Sequence, residues 1–169
     1  YLLGILLHPD NQDIPLPVIL TGPSEAAPYL QQLHEFVGAT LGETAQQRYQ
    51  IIIDNPAEVA RQMVEGLKAV KDFRCERNDA FHFNWLLKIE ESFQHPFDPT
   101  HENMASLQLT RDVPPHELAA NLRRAFSGIV AGNVKDKGIR RIEQFGRYEI
   151  HGDPAIMKPL DALLQAFVA

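Results

Sequence analysis

The run Pro15-Leu-Pro-Val-Ile-Leu-Thr-Gly-Pro-Ser24 decides the fold of the first half of the chain. Its β-branched and leucine residues predict a buried strand, and the Thr-Gly-Pro that follows predicts a sharp turn at the carboxyl end of that strand. The run Arg48-Tyr-Gln-Ile-Ile-Ile53 predicts a second buried strand. A helical pattern follows each run, so the two strands are expected to be parallel and joined by a crossover. The first half therefore predicts part of an open α/β sheet.

The helices behind these strands carry clear start and stop signals. Apolar residues recur at three- and four-residue spacings over residues 29–41, and Gly42 is expected to help end that helix. Asn55 as the N-cap, Pro56 in the first turn and Glu58 at the third position predict a capping-box start for the next one. The apolar face of this second helix comprises Val59, Met63, Leu67 and Val70.

The second half predicts a smaller, mainly helical α+β arrangement. Residues 79–89 are rich in aromatic side chains and favour a strand or hairpin arm, and residues 106–110 are compatible with a short strand. A helix is predicted to begin near Asp112 and to end near residues 132–133, which suit a left-handed cap. Two more are expected, one stopping at Gly146 and one beginning near Pro154. The apolar stripes of the three are Leu118, Leu122, Phe126, Ile129 and Val130; Ile139, Ile142 and Phe145; and Ile156, Leu160, Leu163, Leu164 and Phe167.

Composition limits the class of protein. The chain has 169 residues, a net charge of −6 and an apolar fraction of 44%, which is typical of a globular chain with an ordinary core. The negative charge argues against general binding to nucleic acid. The single cysteine, Cys75, excludes an internal disulfide and is compatible with the reducing cytoplasm in which we expect the protein. No apolar run approaches the roughly 20 residues that a membrane span requires.

The chain opens with Tyr1-Leu-Leu-Gly-Ile-Leu-Leu7, without an initiator Met and without a helix cap. An uncapped apolar helix leaves its first amide groups without partners, so such a helix is expected in the interior of a longer protein. We therefore expect the chain to be a piece of a longer protein.

One region of this acidic chain is basic. Residues 115–150 carry seven lysines and arginines against four acids, a local balance of +3. A basic region of this size favours a small anionic ligand over a polyanion, and a solvated helix face is the alternative reading. The seven cations are Arg123, Arg124, Lys135, Lys137, Arg140, Arg141 and Arg147.

The proline-rich segment from residue 95 to residue 103 is the best local candidate for chemistry. It is expected to be a stiff loop that displays His101, Glu102 and Asn103, which offer proton transfer and hydrogen bonding. Structural roles for His101 and Asn103 in capping a turn and satisfying backbone groups are the alternative. No zinc site is predicted, since alanine replaces the second histidine one turn after both His-Glu pairs.

Four blocks of the sequence resemble the bacterial nucleotide 5′-monophosphate nucleosidases, within the Lonely Guy or lysine-decarboxylase-like superfamily. The resemblance covers essentially the whole chain, although the first two blocks by themselves would indicate only the superfamily. The blocks are Leu16-Pro-Val-Ile-Leu-Thr-Gly-Pro23, Tyr49-Gln-Ile-Ile-Ile-Asp-Asn-Pro-Ala-Glu-Val-Ala-Arg-Gln-Met63, His101-Glu-Asn-Met-Ala-Ser-Leu107 and Arg123-Arg-Ala-Phe-Ser-Gly-Ile-Val-Ala-Gly-Asn-Val-Lys135.

The resemblance implies a domain organisation and a reaction. Residues 1–72 would be the end of a Rossmann-like catalytic domain, and residues 73–169 most of a nucleosidase-specific C-terminal domain. The superfamily hallmark Pro-Gly-Gly-x-Gly-Thr-x-x-Glu would lie just upstream of Tyr1, so no catalytic residue is assigned within the chain. The parent would hydrolyse nucleoside monophosphates to free base and ribose 5-phosphate without metal or cofactor. A nucleotide-binding or regulatory assembly module without turnover is the alternative.

Pocket and effector residues follow from the same resemblance. Thr21 and Gly22, at the end of the first predicted strand, would line the substrate pocket, and His101, Glu102 and Asn103 are candidates to join them. The resemblance also implies regulation by guanosine tetraphosphate and assembly as a homotetramer. The candidates for the effector phosphates are Arg123, Arg124, Lys135, Arg140 and Arg141, with Lys135 the first choice.

Overall fold

The computed structural model of the protein describes residues 1–79 and 86–166. Contacts between residues divide the chain into two compact units. The sheet unit comprises Leu6–Lys88, and the helical unit comprises Tyr1–Ile5 together with Ile89–Ala169. The predicted division into domains between residues 72 and 73 stays a prediction.

The described residues form an α/β fold that is mostly helical. The strands are β1 (Ile19–Gly22) and β2 (Gln50–Ile53). The helices in chain order are α1 (Leu2–Leu6), α2 (Ala27–Leu41), α3 (Glu43–Gln46), α4 (Pro56–Glu76), α5 (Glu91–Gln94), α6 (His101–Ala105), α7 (Pro115–Val134), α8 (Asp136–Phe145) and α9 (Pro154–Gln165).

The sheet unit is built on the two parallel strands that the sequence predicts. β1 pairs with β2 in a register that runs from Ile19 opposite Gln50 to Gly22 opposite Ile53, and α2 lies between them in the chain, so the predicted crossover is confirmed. The strands are less buried than predicted, because their apolar side chains stay partly exposed and none of them is fully buried. In the described part of the chain each strand has one partner, which leaves the other edge of each strand open.

The ends of α2 and α4 follow their sequence signals. Gly42 ends α2 in the left-handed region at φ 86°, and the Asn55 side chain accepts a hydrogen bond from the Glu58 amide at the start of α4. The predicted apolar face of α4 is only partly correct, because Leu67 is 59% exposed. The buried apolar side chains of the sheet unit include Ile14, Leu30, Phe36, Val37, Ala45, Tyr49 and Val70.

The helical unit has its core around α7. This helix packs against α8 and against the segment that holds α6, and the predicted stripe is buried at Leu118 and Leu122, although Val130 is exposed. Each fully buried leucine, isoleucine or methionine side chain stabilises the unit by roughly 1.5–3 kcal/mol. The buried apolar side chains include Met104, Leu107, Leu109, Leu118, Leu122, Ala125, Ile156, Leu160 and Leu163.

The end of α7 differs from the prediction. The helix continues through Gly132 and Asn133 to Val134, and neither residue adopts a positive φ. Gly132 serves packing instead, since an added Cβ would lie 2.5 Å from the Cδ1 of Ile142 on α8. α8 then stops at Gly146, with φ 84°, as predicted, but Phe145 at its end is 63% exposed rather than part of an apolar core stripe.

Three other predictions concern short or marginal elements. Residues 106–110 do not form a strand, because only an isolated bridge joins Leu109 to Gly152. The predicted strand over residues 79–89 lies largely outside the described residues, as does Phe167. The opening helix is buried at Ile5 and Leu6 but not at Tyr1. Among the described residues, no helix combines the length and the apolar character that crossing a bilayer demands.

Candidate functional site

The carboxyl ends of the two parallel strands form the first candidate site, which lies within the sheet unit. Thr21 is exposed on β1, opposite Ile52, and Gly22 ends the strand. In open α/β sheets, ligands bind at this edge of the sheet. The structure therefore places Thr21 and Gly22 where the sequence predicts them.

Sequence reasoning missed one residue at this edge. Asp54 follows β2 directly, with a φ of 53° that non-glycine residues seldom adopt, and its amide donates a hydrogen bond to the Gly22 carbonyl at 2.9 Å. The Ser24 hydroxyl donates a hydrogen bond to the Asp54 carboxylate at 3.0 Å. The edge thus presents a carboxylate held by a hydroxyl. The available signal was the position of Asp54 between a strand and a helix cap.

The segment around His101 is helical where the sequence predicts a loop. Thr100 caps α6 by accepting a hydrogen bond from the Asn103 amide at 3.1 Å, so His101, Glu102 and Asn103 form the first turn of that helix. The His101 ring packs on Tyr148, with ring centroids 4.8 Å apart, and its Nε2 lies 2.9 Å from the Gly146 carbonyl oxygen.

The side chains of that first turn have different surroundings. Asn103 donates a hydrogen bond to the Asp98 carbonyl at 2.9 Å. Both His101 and Asn103 thus have backbone partners, as expected if their roles are structural rather than catalytic. Glu102 is exposed. The three residues lie in the helical unit, and Thr21 and Gly22 lie in the sheet unit.

A pocket in the helical unit collects most of the predicted phosphate-binding residues. Its volume is about 360 Å³, and we call it the basic pocket. It brings together Arg123, Lys135 and Arg141, which the sequence analysis selects, and adds Lys137, which belongs to the same basic region. Four cations therefore face one carboxylate, that of Asp98. The lining residues are Pro96, Phe97, Asp98, Pro99, Arg123, Ser127, Ala131, Lys135, Lys137, Gly138 and Arg141.

A close contact between α7 and α8 builds one wall of this pocket. Lys135 links the two helices, and Gly138 in the first turn of α8 lies so near α7 that an added Cβ would be 2.2 Å from the Ala131 carbonyl oxygen. This approach brings the amino end of α8 to the pocket. The partial positive charge of a helix amino end adds to the field of the cationic side chains.

Arg141 and Asp98 form the strongest ion pair of the pocket. The two Nη atoms of Arg141 donate to the two carboxylate oxygens of Asp98 at 2.7 and 3.1 Å, and Lys137 Nζ lies 3.7 Å from Asp98 Oδ1. The hydrogen bond from Arg141 lowers the pKa of the Asp98 carboxyl, and the same bond raises the pKa of Arg141. Both groups are therefore charged at neutral pH.

Arg123 and Lys135 have cationic groups less committed to acidic partners. The Nε of Arg123 is buried and makes no hydrogen bond with the described residues, and its guanidinium lies 5.1 Å from the centroid of the Tyr1 ring. Lys135 is exposed and lies at the junction between α7 and α8. An anion that enters the pocket can thus gain contacts from both side chains without breaking an ion pair that they make.

Two of the five predicted effector residues lie elsewhere. Arg124 lines a second pocket of about 370 Å³, in which its Nη1 donates to the Asn121 side chain at 3.1 Å and which also contains Glu90 and Glu117. Arg140 is exposed and lines neither of these two pockets. The five predicted effector residues, which were grouped by charge, therefore do not share one pocket.

Comparison with known proteins places the chain in a family. Residues 67–169 match the family model described as pyrimidine/purine nucleotide monophosphate nucleosidase, C-terminal. The chain therefore belongs to this nucleosidase family, as the resemblance of its sequence blocks predicts.

Curated relatives extend the similarity to the remaining residues. Over all 169 residues the chain is 59% identical to the pyrimidine/purine nucleotide 5′-monophosphate nucleosidase of Escherichia coli K12, and equally to the proteins of that name from the O6:H1 and O157:H7 strains. The chain spans 37% of the length of each of these relatives.

Proposed function

We propose that the chain is part of a nucleosidase of the Lonely Guy superfamily. The whole protein would hydrolyse the N-glycosidic bond of purine and pyrimidine nucleoside 5′-monophosphates, with free base and ribose 5-phosphate as products. The observation that carries this proposal is the 59% identity to a nucleosidase over every residue of the chain. The parallel strands with a polar carboxyl edge support it, because this is where α/β sheets bind ligands.

The proposed role of this chain in the reaction is to complete the pocket rather than to perform the chemistry. Residues 1–72 would end a Rossmann-like catalytic domain, whose Thr21 and Gly22 contribute pocket wall, and residues 73–169 would form the nucleosidase-specific domain. Glu102 is the exposed member of the His101–Asn103 group and is the one best placed to reach a ligand.

The catalytic step is proposed to depend on the upstream hallmark motif. Its glycine-rich helix start would hold the 5′-phosphate, and its glutamate would assist water attack at the anomeric carbon as the base leaves. The chemistry is analogous to carboxylate-assisted glycoside cleavage through a cation-like sugar.

The full natural protein, incubated with a panel of purine and pyrimidine nucleoside monophosphates, tests this function. Equal amounts of free base and ribose 5-phosphate are expected, and replacement of the hallmark glutamate by glutamine should abolish both while leaving nucleotide binding measurable. A folded protein that binds these nucleotides but releases neither product would instead be the non-catalytic binding or assembly module.

We further propose that the basic pocket binds a phosphate-rich effector, with guanosine tetraphosphate the ligand that the family resemblance suggests. Four cations, the amino end of α8 and a volume of about 360 Å³ support this assignment. Lys135→Ala is expected to weaken effector binding about tenfold, the loss typical of one charged contact. Lys158→Ala removes an equal charge from an exposed position on α9 and should change effector binding less than about twofold.

The assembly and location of the protein are also proposals. We expect a homotetramer in the cytoplasm. Sedimentation velocity on the full natural protein would test the first point, and a dimer or monomer at micromolar concentration would contradict it.

A further inference from the structure

Asp98 has a distinctive position in the basic pocket. Among the described residues that line the pocket, it is the single acid, and it accepts both Nη donors of Arg141, at 2.7 and 3.1 Å. Lys137 Nζ is 3.7 Å from the same carboxylate. The Asp98 side chain is 51% exposed, whereas the Arg141 side chain is only 23% exposed, so the carboxylate lies on the solvent side of the guanidinium.

This geometry is the one that an anionic ligand would adopt. A guanidinium fork binds a carboxylate and a phosphate in the same planar, bidentate manner. The Asp98 carboxylate therefore occupies the face of Arg141 that the pocket would offer to a phosphate. Arg123 and Lys135, in contrast, make no ion pair with an acid in the described part of the chain and stay available to an entering anion.

The backbone of Asp98 keeps the carboxylate close to the pocket. The Asp98 carbonyl accepts hydrogen bonds from the Thr100 amide and from the Asn103 side chain, each at 2.9 Å. These bonds fix the backbone to the start of α6 and leave only the side-chain torsions free. A displaced carboxylate would thus remain tethered beside the pocket and able to return.

We propose that Asp98 is a built-in competing anion that sets the affinity of the basic pocket for phosphate-bearing ligands. A ligand phosphate gains Arg141 and Lys137 only by displacing this carboxylate. The inference rests on the proposed anionic ligand of the pocket and is independent of the nucleosidase reaction.

Titration calorimetry with inorganic pyrophosphate, on the full natural protein at neutral pH, tests the proposal. Asp98→Asn keeps the side-chain shape and removes the competing charge, so it should tighten pyrophosphate binding about three- to tenfold. Asp161→Asn on α9 makes the same change in net charge at an exposed position outside the pocket and should alter binding less than about 1.5-fold. Equal or weaker binding in Asp98→Asn would overturn the proposal, and so would equal gains in the two variants.

A double-mutant cycle separates competition from general charge. If Asp98 competes for Arg141, then the gain from Asp98→Asn should largely disappear in an Arg141→Ala background. A gain of the same size with and without Arg141 would overturn the proposal, since the carboxylate would then act only through the overall field.

The same measurements keep this proposal apart from the proposed function. Pyrophosphate binding requires no turnover, so a protein that fails the nucleosidase assay can still show the Asp98 effect. Conversely, turnover with no affinity change in Asp98→Asn would leave the nucleosidase proposal intact and remove this one.

Discussion

At the scale of single residues, the most constrained position in the helical unit is Gly138. A Cβ atom added to Gly138 would collide with the backbone of α7, because it would lie 2.2 Å from the Ala131 carbonyl oxygen and 3.0 Å from the Gly132 nitrogen. Backbone cannot rotate away as a side chain can, so even one added methyl group must push the two helices apart.

Gly138→Ala is therefore expected to lower the free energy of unfolding by about 3 kcal/mol, the upper end of the usual cost of overpacking. The helix-propensity gain of alanine over glycine, about 1 kcal/mol, is too small to offset it. Urea denaturation gives the measurement. Glu143→Ala, at an exposed position in the same helix, is the matched control and should change stability by less than about 0.5 kcal/mol. Equal effects would show that the contact between α7 and α8 is not tight.

Neighbouring arginines on α8 give a second residue-scale prediction. Arg141 lines the basic pocket and Arg140 does not. Arg141→Ala should weaken guanosine tetraphosphate binding by about tenfold to a hundredfold, since one charged contact contributes roughly 1.5–3 kcal/mol. Arg140→Ala should change it less than about twofold. Similar losses in both variants, measured by calorimetry, would contradict the assignment of the ligand to this pocket.

The sequence predicts this pocket only in part, for reasons of helix geometry. The local charge balance selects Arg123, Lys135 and Arg141, but it equally selects Arg124. Adjacent helical residues point about 100° apart, so Arg123 and Arg124 enter different pockets. Asp98 is 43 residues away from Arg141 in the chain, and no local pattern predicts that pairing.

At the scale of elements, the start of α4 depends on one side chain. The Asn55 amide oxygen accepts a hydrogen bond from the Glu58 amide at 3.1 Å, which satisfies one of the unpaired donors of the first turn. Asn55→Ala should lower the free energy of unfolding by about 1 kcal/mol, whereas Asn55→Ser, which keeps a capping oxygen, should lose less than half of that. A serine variant as unstable as the alanine variant would show that the cap contributes little.

The ion pair between Asp98 and Arg141 on α8 predicts that the free energy of unfolding depends on pH. Arg141 lowers the pKa of the Asp98 carboxyl in the folded protein below its ordinary value of 3.8. A lowered folded-state pKa means that the ion pair contributes stability above the unfolded pKa and loses it as the pH falls through the folded pKa. Since the Asp98 side chain is half exposed, screening by solvent keeps this contribution to stability small.

Comparison of the protein with Asp98→Asn by urea denaturation would check this linkage. The stability difference between the two is expected to be constant above about pH 5 and to shrink as the pH falls below 3.8. A difference that stays constant down to the lowest pH at which the protein is folded would show that the ion pair does not contribute.

Element boundaries show where sequence patterns succeed and where they fail. The cap at Asn55 and the stops at Gly42 and Gly146 are local features, and each one is present as predicted. The end of α7 is not local, because Gly132 is used for contact with Ile142 rather than for a left-handed turn. The predicted strand at residues 106–110 fails for a similar reason, since only Leu109 finds a partner.

At the scale of the whole molecule, the sequence predicts the parallel pair of strands but not the exposure of their side chains. Continuous apolar runs indicate strands that are covered on both faces, yet the described residues leave Ile51–Ile53 only half-buried. Which elements cover a strand depends on the arrangement of the entire sheet, which a local run of residues does not encode.

The central claim, cleavage of an N-glycosidic bond, is tested most directly by the fate of the phosphorus atom. The full natural protein would be mixed with one nucleoside monophosphate and followed by ³¹P NMR while the free base is quantified. We predict that the nucleotide resonance is replaced by that of ribose 5-phosphate, with one equivalent of base released. Inorganic phosphate and an intact nucleoside, or an unchanged nucleotide with folded protein, would contradict the account.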